Sequence, residues 1–161
     1  MTTLFCAPGV FLITPALTEG FDRQLQAFMQ AIRTVESSGN YGAVGPTHPR
    51  YGRALGGYQI MEANLPAWSQ QALGRFVNAG EFLKDAALQG LIASKQMAKL
   101  FQKFGNWHDV ASAWLSGRSM AAAGNASDSL GTTVREYVAK VNSAMGQMSD
   151  AVKTGATAGT Q

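Results

Sequence analysis

Apolar residues early in the chain recur at spacings of three and four: Phe21, Leu25, Phe28, Ile32 and Val35. That period puts them on one face of a helix over residues 21–36. Asp22 suits its first turn and Gly39 its exit. Glycine and proline then crowd residues 39–58 and the helical period disappears. This predicts a long irregular loop or a small hairpin, a kind of segment that is often functional in a compact domain. Asn64 is placed to cap a short helix ending near Gly74, and Asp85 a longer one ending at Gly105. Leu88, Leu91, Ile92, Leu100, Phe101 and Phe104 form the apolar side of the longer one. Asn106 and Asp109 make a capping pair for a helix up to Gly117. Thr133 and Glu136 form a capping box before a last helix, roughly 134–146.

The chain is therefore expected to be mainly α, with helices joined by irregular loops. Its 161 residues, 46% of them hydrophobic, suit one domain that can bury a core and form a cleft. Residues 1–20 read as an N-terminal arm, 21–148 as the main domain and 149–161 as a small polar tail. The apolar run at 4–13 is too short to span a bilayer and lacks the basic flank of a leader. No stable membrane insertion is expected from it. The net charge of +3 would draw the surface weakly to a polyanion. Lys and Arg are scattered, with no run of three, which argues against a nucleic-acid partner. Cys6 is the only cysteine and excludes an internal disulfide. With His48 and His108 it offers no metal-ligand spacing, so no metal and no cofactor are expected. Gly52–Gly57 lacks the Lys-Ser/Thr ending of a phosphate loop.

One carboxylate stands out. Glu36 follows apolar Val35 at the end of the first predicted helix. Partial burial and the negative end of the macrodipole both favour its protonated form. A carboxylic acid that holds its proton near neutral pH can protonate a poor leaving group. On position alone, a solvated glutamate closing a helix accounts for it better. The surroundings change that balance. Glu36-Ser37-Ser38-Gly39-Asn40-Tyr41 is followed by Gly56-Gly57-Tyr58-Gln59-Ile60-Met61, then Ala113-Trp114-Leu115-Ser116-Gly117, then Thr133-Val134-Arg135-Glu136-Tyr137-Val138-Ala139-Lys140-Val141. In this order the four blocks resemble the lysozyme-like domain of lytic transglycosylases and, more distantly, goose-type lysozymes, over roughly residues 24–145.

The resemblance implies a lysozyme-like fold, with helices around a glycan cleft, and Glu36 as the catalytic acid. It implies that Ser37, Gly56, Tyr58 and Gln59 line the cleft, and that Tyr137 lies near Glu36. The Ala-aromatic-Asn-x-Gly block places Trp114 there too, but its asparagine position is Leu115, which puts any amide contact from this block in doubt. Gln59 offers a donor and an acceptor for sugar groups, and Tyr137 a hydroxyl to hold Glu36. Tyr58 and Trp114 suit either sugar stacking or core packing. The implied substrate is peptidoglycan, cut at the MurNAc-GlcNAc β-1,4 bond with one essential carboxylate. The product is anhydro or reducing according to whether the muramic 6-hydroxyl or water attacks. A second carboxylate at defined separation is what a two-acid hydrolase would need; Glu62, Asp109 and Asp128 are candidates by type only. Asp109 reads better as a helix cap and Glu62 as a solvated group. Arg50 and Arg53 suit either solvent or substrate carboxylates. The pattern also looks like wall-degrading domains of phage tails and virions. The expected setting is thus a virion, with the arm and tail docking on other virion or tail proteins, or alternatively the bacterial periplasm. The rival readings are a catalytically weak lysozyme-fold interaction protein and a membrane-active lytic protein acting through residues 4–13.

Overall fold

The computed structural model describes residues 15–123, 125–127 and 131–155, with side chains over 18–123, 125–127 and 131–148. Residues 1–14, with Cys6 and the apolar run, lie outside the described residues, as do Asp128 and residues 156–161. The chain is mainly helical with a small sheet. In order the elements are α1 (Pro15–Ser37), β1 (Val44–His48), β2 (Gly52–Leu55), β3 (Ile60–Met61), a 3-10 turn (Glu62–Asn64), α2 (Leu65–Leu73), α3 (Ala79–Lys84), α4 (Ala86–Phe104), α5 (Trp107–Ser116), α6 (Met120–Ala123) and α7 (Val134–Gly155).

The predicted face of α1 is the one that packs. Leu25, Phe28 and Ile32 are buried with Met29 and Ala31, and Phe21 and Val35 pack against the core edge. The helix meets α4 and α7. Trp107 of α5 stacks on Phe28 at 4.6 Å and lies 4.4 Å from Phe101, closing one end of the core. The middle of the core is Ile92 and Met97 of α4, Val110 of α5, and Val134 and Val141 of α7. No helix among the described residues is long and apolar enough to cross a membrane.

The first and last helices run longer than in the sequence reading. Helix α1 begins at Pro15, inside the expected arm, so Asp22 is not in its first turn. Proline lacks the N–H that a first turn leaves unpaired and has a helical φ, so it starts the helix. At the other end α7 continues past Gly146 to Gly155, into the expected tail. A glycine inside a helix costs only about 1 kcal/mol against alanine, and the helix carries it.

The capping arguments hold in detail, with one exception. Asp85 accepts from Leu88 N, and Asn106 accepts from Asp109 N. Thr133 and Glu136 bond reciprocally. Gly74, Gly105 and Gly117 end their helices in the left-handed region. Asn64 makes no side-chain cap; it closes the 3-10 turn that runs into α2. Helix α3, capped by Asn78 through Glu81 N, was not anticipated. Leu91, expected on the apolar side of α4, is 42% exposed.

Residues 39–58 contain the hairpin. Strand β1 pairs antiparallel with β2, and β2 with β3. The β1–β2 register is irregular between Val44 and Thr47, where Pro46 has no N–H to give to the ladder. This small sheet stands beside the end of α1 and brings its last turn, Gly56–Gln59, against Ser37.

Candidate active site

Two left-handed residues, Ser38 (φ +53°) and Gly39 (φ +84°), end α1 sharply and leave Glu36 in its final turn. Glu36 is half-buried there. The Tyr137 hydroxyl, from the first turns of α7, donates to Glu36 Oε1 at 2.5 Å. The two residues lie 101 positions apart and meet because α1 packs along α7. Tyr137 is only 5% exposed. Burial first, then the charge of Glu36 and the hydrogen bond to it, push the Tyr137 hydroxyl well above its ordinary value of 10.0. It therefore keeps its proton as a donor across the neutral and moderately alkaline range, and it fixes the rotamer of the Glu36 carboxyl.

Ser37 faces the sheet. Its hydroxyl donates to Gly57 O at 2.8 Å and to Arg33 O at 3.1 Å. The Gly57 N–H donates to Gln89 Oε1 at 2.8 Å. One residue, Gly57, thus ties the helix that carries Glu36 to α4. Gln89 is fully buried, and its Nε2 donates to Tyr41 O at 2.9 Å and to Phe82 O at 3.0 Å. Arg33, one turn before Glu36, lies over the Tyr41 ring and donates to its hydroxyl. Among the described residues no buried side-chain nitrogen or oxygen lacks a partner, and this frame gives the end of α1 a defined position.

The Gly56–Gln59 turn is tighter than its sequence suggests. Gly56 has φ +72°, and a Cβ there would stand 2.2 Å from Gln89 Oε1. The space on the Cβ side of Gly56 is filled by Gln89. Gln59 holds φ +49°, a left-handed conformation that costs a non-glycine residue about 1–2 kcal/mol. Its Nε2 donates to Gly56 O at 2.8 Å, and its Oε1 lies against Gly45. In this structure Gln59 braces the turn. Tyr58 is 2% exposed and packs edge-on to Tyr41, so it presents no face for a sugar to stack on. Its backbone contributes instead: Trp114 Nε1 donates to Tyr58 O at 3.2 Å. Trp114 is half-buried and lies 5.4 Å from Trp68, with the two rings tilted at 47°. Both line a cleft of ≈ 360 Å³, as does Leu115. Glu36 lines neither this cleft nor the hollow of ≈ 520 Å³ beside Arg118 and Arg135. Ser37, next to the acid, and Trp114, in the aromatic cleft, both bond to the Gly56–Gln59 turn.

Of the carboxylates considered as second acids, Glu62 and Asp109 are occupied, and Asp128 lies outside the described residues. The Glu62 side chain is 36% exposed, as expected of a solvated group, and there it holds Arg53 through two side-chain contacts, at 3.1 and 2.9 Å, and accepts from Arg53 N. That bonding pulls the Glu62 carboxyl below its usual range and also removes Arg53 as a ready partner for substrate carboxylates. Asp109 accepts from Asn106 Nδ2 at 2.9 Å and from Met120 N at 2.7 Å, which lowers its pKa in the same way. Arg50 stacks on Tyr51 at the hairpin tip.

The structure thus joins Glu36 with Tyr137, Ser37 with Gly57, and Trp114 with Tyr58. Sequence reasoning missed Gln89, Arg33 and Trp68. For Gln89 a signal existed: it is the one amide in the stripe Leu88, Ile92, Ala93 and Met97 of α4. No family model, no curated protein and no solved structure matches the chain.

Proposed function

We propose that this chain cleaves the MurNAc-GlcNAc β-1,4 bond of bacterial peptidoglycan, with Glu36 as the single catalytic acid and base. The observation that carries the reading is the 2.5 Å hydrogen bond from Tyr137 to Glu36, since it unites the first and last of the four blocks at one carboxyl. The Ser37–Gly57 and Trp114–Tyr58 bonds bring the other two blocks to the same corner of a mainly helical domain, as a lysozyme-like fold requires. In the mechanism Glu36 protonates the glycosidic oxygen, with its carboxyl held in one rotamer by Tyr137. The acetamido group of the muramic sugar stabilises the cation that develops. Glu36 then takes the proton of the attacking hydroxyl, either the sugar's own 6-hydroxyl or water. The structural roles of Glu62 and Asp109 favour a one-carboxylate scheme.

The decisive experiment is digestion of purified sacculi by the full chain and by Glu36→Gln, with mass analysis of the products. Loss of about 10²–10⁴-fold in rate is expected. Clear activity in Glu36→Gln would remove the assignment. The proposed setting is a virion, in which the enzyme opens the wall for genome entry and docks on other virion or tail proteins. Finding the chain in purified particles by mass spectrometry tests this. A second reading, a lysozyme-fold interaction protein with little catalysis, is favoured by one feature: Leu115 stands where the family motif has an amide. Inactivity of the wild-type chain on sacculi would select it.

A further inference from the structure

Arg118 and Arg135 line one hollow of ≈ 520 Å³ between α6 and the start of α7. The rest of its lining is Met120, Asn125 and four alanines, so no carboxylate of the lining faces the two guanidiniums. Both arginines are exposed, and neither forms an ion pair with a described residue, whereas Arg53 and Arg75 hold Glu62 and Glu81. The acids of α5 and of the first turn of α7 are committed elsewhere. Asp109 bonds to Asn106 and to Met120 N, and Glu136 to Thr133. Asp109 and His108 share a neighbouring hollow with Arg135, not this one. The backbone on both sides is fixed. The fully buried Ser112 donates to Arg118 O at 2.8 Å, and Arg118 N donates to Ser116 Oγ at 3.2 Å. Across the hollow, Val134 N donates to Ala126 O at 2.9 Å and ties that rim to α7. Arg135 stands in the first turn of α7, where the macrodipole disfavours a cation, so helix stability does not explain its charge.

We propose that this hollow is an anion site for a phosphoryl group, free or as the ester of a small polyol, with Arg118 and Arg135 as its donors. A guanidinium presents a planar fork of N–H groups that fits two oxygens at once. A carboxylate has only two oxygens and is satisfied by one fork. A phosphoryl group has three or more acceptor oxygens and a larger charge, so it can engage both forks together. The Asn125 amide adds a donor and an acceptor for a remaining oxygen or for a polyol hydroxyl. The hollow is larger than a phosphoryl group alone, which leaves room for the ester part. Arg135 and Tyr137 are two residues apart, which turns their side chains about 200° from one another around α7. The anion site and the Glu36 carboxyl thus lie on opposite sides of that helix, and the proposal does not depend on the glycan-cleaving reading.

The test is an NMR titration of the full-length chain at constant ionic strength, following the side-chain N–H signals of Arg118 and Arg135. The probes are inorganic phosphate, glycerol phosphate and acetate. Saturable shifts of both signals are expected with the phosphoryl probes, and binding about tenfold weaker with acetate. Whichever phosphoryl probe binds more tightly names the source, ester or free phosphate. Arg118→Gln and Arg135→Gln should each weaken phosphoryl binding about tenfold. Arg135→Lys keeps the charge but loses the fork, and should weaken it several-fold. Both positions are exposed, so the variants should melt with the wild type, which separates lost binding from lost folding. Three results would each overturn the proposal: phosphoryl probes that saturate neither signal, equal affinity in wild type and both glutamine variants, or acetate binding as tightly as phosphate.

Discussion

Replacing Gln89 with methionine removes three hydrogen bonds while nearly preserving the length and volume of the side chain. The side chain is fully buried, so no water takes over its role at once. Of its three partners, Phe82 O also accepts from Asp85 N at 3.4 Å and keeps a bond. The Gly57 N–H and the Tyr41 C=O lose the partner that Gln89 gave them. Orphaning a buried backbone group costs about 1–3 kcal/mol. The Tyr41 carbonyl is only partly buried and contributes toward the low end. The sum is about 2–5 kcal/mol, against a whole-domain stability of about 5–15 kcal/mol. Methionine adds little cavity cost, since it fills nearly the same space. Urea unfolding of Gln89→Met and wild type, read as a shift in midpoint at constant slope, measures the difference. A loss below about 1 kcal/mol would refute the claim that this amide holds the Gly57 turn to α4. Activity on sacculi should fall with it, because the turn that receives Ser37 loses its anchor.

Four further outcomes are expected. Tyr137→Phe should lower the rate of sacculus digestion more than it weakens binding, because it frees the Glu36 rotamer without touching the aromatic cleft; equal loss in both would count against a positioning role. The same variant should change stability at high pH. The folded state holds the Tyr137 proton more tightly than the unfolded chain, so wild-type stability is intact below pH 10 and falls as pH rises above it, by up to about 1.4 kcal/mol per pH unit; melting temperatures from pH 9 to 11 should converge with those of Tyr137→Phe, and parallel curves would contradict this. Gly56→Ala should destabilise by about 2 kcal/mol or more in urea unfolding, since a Cβ would meet Gln89 Oε1 at 2.2 Å in a left-handed backbone. Thr133→Ala should cost about 1 kcal/mol of stability through loss of the cap on α7, and an unchanged melting temperature would show that the cap is redundant.

Much of the local structure was legible in the sequence because its causes are local. Apolar residues at spacings of three and four mark the buried face of α1. Capping side chains act within three residues, and glycines end helices through their own φ, so Asp85, Asn106, Thr133, Gly74, Gly105 and Gly117 announce themselves. The irregular stretch at 39–58 could be bounded, and Glu36 placed in a final helical turn. The first and last helices run further than their periodicity marked, because proline suits a first turn and a packed helix carries one glycine.

What the sequence by itself determined about this protein is therefore its longer helices, the turns that end them and a short list of chemical candidates. Only the tertiary structure decided what those candidates touch. A buried amide at Gln89 and a tyrosine at 137 take their meaning from backbone and carboxyl groups brought near by helix packing, 101 positions away for Tyr137 and Glu36. The same packing turned Tyr58 inward, while Gln59 braces its own turn and Arg53 pairs with Glu62 across the small sheet. It also placed Trp68 against Trp114 to make a cleft that neither segment could show alone. The physical reason is range: capping and periodicity act within a turn or two of chain, whereas burial and hydrogen-bond partners across elements exist only once the elements have packed.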